Sequence, residues 1–249
     1  MNNTPNTQNK VGLVIAAHPD DAEFGAGGTT ALWTEQGWEM HYLVITNGAK
    51  GTSDPTMTPQ KLVETRKKEQ QNAADVLGVK TCTFLDNEDG ELEYTRHTLG
   101  EIVRTIRTLK PHAVLTHAHQ PIHRRPSEPD PNDPVHEFRG FVNHRDHRNT
   151  SIMTIDAVYP TARDLLNFPE HIDQGLQPHK VVELFMWTSH DANFKIDITD
   201  TIDKKVKALA QHESQFEDNS EQAIKKMMEH WRDTDGKLYE RFERLVLRV

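Results

Sequence analysis

The feature that most limits what this chain can fold into is the alternation of short apolar runs with helical patterns over its first half. VGLVIAA (11–17) is apolar without interruption, as expected of a parallel strand buried on both faces. GGTTALWTEQGW (27–38) reads as a short helix and MHYLVITNG (40–48) as a second strand. Thr58 as N-cap and Pro59 as first helical residue open a helix that Gly78 stops after Leu77. TCTFLD (81–86) is a third strand and AVLTH (113–117) a fourth. Between them lies a helix, TRHTLGEIVRTIRTLK, with Leu99, Ile102, Val103 and Ile106 on one face. The alternation predicts an α/β fold: a Rossmann-like, mostly parallel sheet with helices on both faces. Such sheets bind ligands beyond the carboxyl ends of their strands. His18–Asp21, Asn47-Gly48, Asp86 and His117 with His119 are therefore expected on one rim, which is the predicted active site.

After His117 the rhythm breaks. Residues 118–143 carry five prolines and read as a long loop, which at this length is functional or disordered. NTSIMTIDAVY (149–159) is the next helix and KVVELFMWT (180–188) the next strand. Asp200 or Thr199 caps a helix that runs to Ser214, SEQAIKKMMEHWRD is helical, and FERLVLRV is the last strand. Phe185, Met186, Trp187, Met227 and Met228 are assigned to the core. Residues 1–10 read as a disordered tail and 11–249 as a single domain.

Composition narrows the function. A net charge of -9, from 29 basic and 38 acidic residues, argues against binding nucleic acid or an anionic membrane surface. One cysteine, Cys82, allows no internal disulfide and fits a reducing compartment. The polar start MNNTPNTQNK lacks an apolar signal core, and no run approaches the ~18 apolar residues of a membrane span, so the cytoplasm is the default location.

Chemistry concentrates in two short stretches. In HPDD, His18 and Asp21 stand three apart on a turn leaving a strand, where imidazole and carboxylate can converge on one ion. A catalytic zinc takes three protein ligands and keeps a position open for water, so a third ligand must come from elsewhere. NHRDHRNT (143–150) offers His144, Asp146 and His147 just before a helix. One of the two histidines can bind metal, and the other can move protons with a carboxylate fixing its tautomer. The plainer alternative is that Asp20 and Asp21 merely cap the next helix. GAGG (25–28) lacks full dinucleotide-binding spacing and is read as letting the helix approach the sheet. HAHQPIH (117–123) places His117 or His119 at the pocket, with a second metal site as the lesser reading. His212 is read either as structural or as touching substrate.

AAHPDDAEFGAGGT, VITNGAKGT, RKKEQQNAADVLGV and HRDHR, in that order, resemble the PIG-L/LmbE-type superfamily of zinc-dependent de-N-acetylases. The resemblance runs from residue 11 to about 216. It implies a zinc-dependent hydrolase that removes acetyl from an N-acetylglucosamine-type sugar or its conjugate, leaving acetate and a free amine. It places the metal ligands on His18, Asp21 and His147 and the general base on Asp20. It puts oxyanion stabilisation or amine protonation on His144, kept cationic by Asp146. Arg66 would hold the substrate or the acidic cluster, and one Zn2+ per chain and a homo-oligomer are implied. Arg145 stands where the family usually has proline. Because proline donates no ligand atom, the ligands are expected to survive and the loop shape or entrance charge to differ. The alternatives are a metal-dependent amidase acting on a non-sugar or thiol-conjugate amide, and a non-catalytic sugar-binding protein of the same fold.

Overall fold

The computed structural model describes residues 10–124, 140–216, 218, 220–229 and 232–247. The expected tail, Lys10 apart, and residues 125–139 of the Pro-rich segment lie outside them. The strands are β1 (Val11–Ala16), β2 (Glu39–Thr46), β3 (Thr81–Asn87), β4 (Ala113–His117), β5 (Ile122–Arg124), β6 (Gly140–Val142), β7 (Glu183–Trp187), β8 (Phe194–Asp197) and β9 (Tyr239–Val246). The helices are α1 (Asp21–Glu35), α2 (Pro59–Leu77), α3 (Arg96–Leu109), α4 (Arg145–Asp156), α5 (Pro169–Asp173), α6 (Ile202–Leu209) and α7 (Glu221–Glu229).

Among the described residues, seven strands form one sheet in the order β3-β2-β1-β4-β7-β9-β8. β3, β2, β1, β4 and β7 are parallel, and β9 is antiparallel to both its neighbours. This is the mostly parallel α/β sheet expected from the apolar runs. The chain leaves β1 for β2 on one side and later returns to β4 on the other, so the order reverses beside β1. Such a reversal opens a crevice at the carboxyl ends of the strands. A separate antiparallel pair, β5 with β6, flanks the Pro-rich segment.

Both faces of the sheet are packed, which is why β1 is apolar at successive positions. Leu13 and Ile15 face Leu99, Ile102, Val103 and Ile106 of α3 and Met153 of α4. Val14 and Ala16 face the alanines of α1 and Ala73, Ala74 and Leu77 of α2. α2 starts as predicted: the Thr58 side chain accepts from the Lys61 N–H, Pro59 follows, and Gly78 ends the helix in the left-handed region. No helix among the described residues is long and apolar enough to cross a membrane.

Several boundaries differ from expectation. α1 begins at Asp21, six residues before the predicted Gly27, and runs through the GAGG glycines. A Cβ on Gly25 would stand 2.4 Å from the Trp187 ring, and one on Gly28 would stand 2.7 Å from Ile198. These glycines therefore bring α1 against β7 and the segment before α6. α4 begins at Arg145 and α6 stops at Leu209, well short of Ser214. β8 was not foreseen. Met227 is 37% exposed instead of core, while Phe185, Met186, Trp187 and Met228 are buried.

Candidate metal centre and active site

β1 delivers His18-Pro19-Asp20-Asp21 to the rim beside β4. Asp20 occupies the N-cap position of α1, but its side chain makes no cap bond. The capping alternative therefore fails for Asp20, whose backbone sits at φ 103° in the left-handed region. A non-glycine residue there costs about 1–3 kcal/mol and persists only when its surroundings enforce it. Two buried side chains of α2 do so. Gln70 accepts the Asp20 N–H at 2.8 Å, and its own amide donates to Glu23 at 2.9 Å. Arg66 donates to the Pro19 carbonyl at 2.6 Å and to Asp20 Oδ2 at 3.2 Å.

The turn directs the two aspartates apart. Asp21 Oδ2 accepts the His18 N–H at 2.7 Å and lies 3.1 Å from His18 Nδ1. His147 Nε2, from the first turn of α4, lies 3.3 Å from His18 Nδ1 and 3.2 Å from Asp21 Oδ1. Donors held at tetrahedral zinc distances stand about 3.3–3.5 Å from one another. Each pair among His18, Asp21 and His147 thus stands near that spacing, the two contacts of Asp21 falling on different oxygens, and His18 with His144 and His147, or Asp21 with His117 and His147, also bring three donor atoms together. Behind them, His18 Nε2 faces Asp146 Oδ2 at 3.1 Å and Asp89 Oδ1 at 3.2 Å. Those carboxylates hold the ring proton on Nε2 and leave the Nδ1 lone pair for a metal. The residues present therefore fit a metal ion.

Electrostatics separates the roles further. Burial alone would raise the Asp21 carboxyl, but His147 and His117 outweigh it and hold it well below the usual range. Burial and the Asp21 charge push Asp20 up to about 6. Burial lowers His144, and the neighbouring His18 and His147 lower it further. Burial would raise Asp89 too, yet His18 and the Lys50 N–H bring it down to about 2.

Two expected partnerships are arranged differently. The Asp146 carboxylate is 4.0 Å from His144 Nδ1, and it accepts the Gly90 N–H at 2.7 Å and the Leu92 N–H at 3.2 Å. It supports His18 more closely than His144. Its backbone N–H donates to His144 Nδ1 at 3.2 Å. The proton of a neutral His144 ring therefore sits on Nε2. Arg66 is 3% exposed and its donors face Pro19, Gly48 and Asp20. Of its two expected roles, these contacts are those with the acidic cluster. Arg145 points outward towards Glu93 at 3.5 Å and leaves the neighbouring histidines at the start of α4.

Other residues belong to the site that the sequence did not single out. Asp89, in the ordinary-looking turn NEDG, is one, and Gln70 another. His117 was expected at the pocket and is there, stacked on His147 at 4.1 Å and 3.5 Å from Asp21. Burial and His147 push it down to about 4, so it is neutral. His212 is fully buried and lies 3.2 Å from Glu23, which makes it structural. The rim opens on a cavity of about 230 Å³ that touches Asp21, His117 and His147.

Known proteins resemble this chain in sequence and fold. The family model for PIG-L, GlcNAc-PI de-N-acetylase, matches residues 13–158. Diacetylchitobiose deacetylase of Thermococcus kodakarensis is 35% identical over 86% of this chain and 73% of its own length. 4-oxalmesaconate hydratase of Pseudomonas putida is 34% identical over 45% of each protein. The structure of N,N'-diacetylchitobiose deacetylase from Pyrococcus horikoshii superposes with a TM-score of 0.79 at 29% identity, covering 95% of this chain and 84% of that one. Across a match of that extent, spanning both HPDD and HRDH, this chain belongs to the PIG-L family.

Proposed function

We propose that this chain is a zinc-dependent hydrolase that removes acetyl from an N-acetylglucosamine-type sugar or its conjugate, releasing acetate and a free amine. The observation that carries the reading is the separation of the paired aspartates. Asp21 joins His18 and His147 in a three-donor cluster, while Asp20 is turned out of it by an enforced left-handed backbone. A binding protein has no need of that second carboxylate. The extent of the sequence likeness to diacetylchitobiose deacetylase supports the sugar substrate, whereas the sequence likeness to the hydratase covers less than half of each protein, and a hydratase structure that superposes over 96% of this chain does so at 22% identity and shares the fold.

His18 Nδ1, Asp21 and His147 Nε2 would hold the zinc. When bound, zinc acidifies water and polarises the amide carbonyl. Asp20, with a pKa near 6, accepts the proton of the attacking water and is acidic enough to return it to the departing amine. Arg66 holds its carboxylate and Gln70 its backbone N–H. His144 offers its Nε2–H to the oxygen that gains charge as the tetrahedral centre forms. This replaces a cationic His144 by a neutral donor, because the Asp146 carboxylate is spent on His18 and two backbone N–H groups. Asp89 and Asp146 orient His18.

The test is acetate release from N-acetylglucosamine and its oligomers before chelation, after chelation and after zinc is restored. Activity is expected to vanish and return. A chelated, metal-free sample with normal turnover, or hydration activity without acetate release, overturns the reading.

A further inference from the structure

A second cavity, of about 430 Å³, adjoins the one at the metal cluster. The two share Phe24 and Gly25 of α1 together with Trp187 and Thr188 at the end of β7. They are thus two chambers of one groove, with an aromatic neck between them. Thr188 sits at φ 61°, and a non-glycine residue in that region is strained. Gly25 lacks the side chain that would collide with the Trp187 ring, so the indole lies flat against α1 at this neck.

The far wall of the second chamber comes from Arg232 to Thr234 and from Tyr239 to Arg241 on β9. The family match ends at residue 158, so this wall lies wholly outside it. The cluster that does the chemistry and the wall that would meet the remainder of a substrate are therefore separate parts of the chain.

Charge identifies what fits. Arg232 is held by both oxygens of Glu229, each at 2.6 Å. Arg241 pairs with Asp233 at 2.8 Å, and Glu240 with Lys205 at 2.6 Å. Every charged group named on this wall already has an opposite charge beside it. An anionic aglycone entering here would have to compete for those arginines. Paired arginine and carboxylate groups present donors and acceptors without net charge, which suits hydroxyl groups, and the partly buried Phe24 and Tyr239 add apolar surface for a sugar ring.

We propose that the second chamber is a subsite for a neutral sugar unit linked to the N-acetylated residue, making a neutral di- or oligosaccharide the preferred substrate class over a carboxylated conjugate. The proposal rests on the deacetylase reading for the first chamber. Thr234 and Arg241 are exposed, so Thr234→Trp, which fills the chamber, and Arg241→Ala, which strips its wall, leave the core untouched. Acetate release is measured with N-acetylglucosamine, N,N'-diacetylchitobiose and N-acetylglucosaminyl malate. Thr234→Trp is expected to lower kcat/KM for the disaccharide about ten-fold, through KM, with the monosaccharide unchanged. Arg241→Ala is expected to act in the same direction.

Equal effects on both sugars, no effect on either, or wild-type preference for the malate conjugate overturns the subsite. Ligand-observed NMR of the same three compounds separates the two failures. Disaccharide binding that Thr234→Trp abolishes, with no acetate from any compound, supports the subsite and overturns the hydrolase. No acetate and no binding difference overturns both.

Discussion

Asp20 and Asp21 are neighbours with opposite tasks, and the backbone between them makes the division. At φ 103° Asp20 turns towards Arg66 and away from His18, while Asp21 turns inward. Asp20→Asn preserves the shape and the metal donors but removes the base. Its kcat is expected to fall about 10²–10⁴-fold with metal content unchanged, measured by acetate release and elemental analysis. A fully active Asn variant would sink the mechanism. The two histidines of HRDH should divide just as sharply. His147→Ala removes one of three donors and is expected to lose most of the bound metal. His144→Ala is expected to keep the metal and lose rate, and the reverse pattern would exchange their assignments. His18 and Asp21 were visible in the sequence because charged groups directly after an apolar strand are conspicuous, and this pair because a histidine–aspartate cluster stands just before a helix. Asp89 was not visible. Its sequence context is a polar turn like any other, and its value arises only when the loop after β3 folds back over His18, 71 positions away in the chain.

At the scale of elements, the parallel strands were legible because burial on both faces forces a continuous apolar run, as in β1. Helices were legible where caps were strong, as with Thr58 and Gly78. α1 was misplaced by six residues because glycine argues against helix, at about 1 kcal/mol relative to alanine. What local propensity does not contain is the approach of Trp187 and Ile198, which only glycine permits. This yields a prediction whose sign opposes propensity. Gly25→Ala improves the helix by about 1 kcal/mol, but its Cβ enters the Trp187 ring, where overpacking costs about 1–3 kcal/mol. Trp187 also donates to His117 at 3.2 Å, so it has little freedom to retreat. Net destabilisation of roughly 1 kcal/mol is expected, read as a lower urea midpoint at unchanged m-value. A stabilised variant would mean that the ring moves freely and that α1 is not held by this contact. β9 was read as the last strand, FERLVLRV, with its start three residues late. β8 escaped the sequence reading for a different reason: its four residues, none of them fully buried, carry none of the apolar continuity that marked the parallel strands.

At the scale of the whole molecule, helices from opposite ends of the chain meet in one buried polar network beneath Asp20. His212, just past α6, lies 3.2 Å from Glu23 of α1, and Glu23 accepts from Gln70 of α2. His212 and Glu23 are both fully enclosed and 189 positions apart, which is why neither was assigned this role from sequence. Burial alone would lower the His212 imidazole, but the Glu23 carboxylate outweighs it and holds it above its ordinary value. The sign of the linkage follows. A raised folded-state pKa means that the folded protein binds the proton more tightly. The resulting stability is complete below the unfolded value of about 6.5 and is lost as pH rises through the raised folded value. Without metal, burial would lower His18 but Asp146, Asp21 and Asp89 outweigh it and raise it too, so the metal-free wild-type curve contains more than one contribution. A double-mutant cycle with Glu23→Gln and His212→Asn isolates the buried pair. Its coupling energy, from denaturant melts at fixed zinc concentration, is expected to be larger at pH 6 than at pH 9. A coupling that stays constant across that range would mean that His212 carries no extra proton in the fold. The network would then hold Asp20 through neutral hydrogen bonds alone, and the stability of its support would not follow this titration.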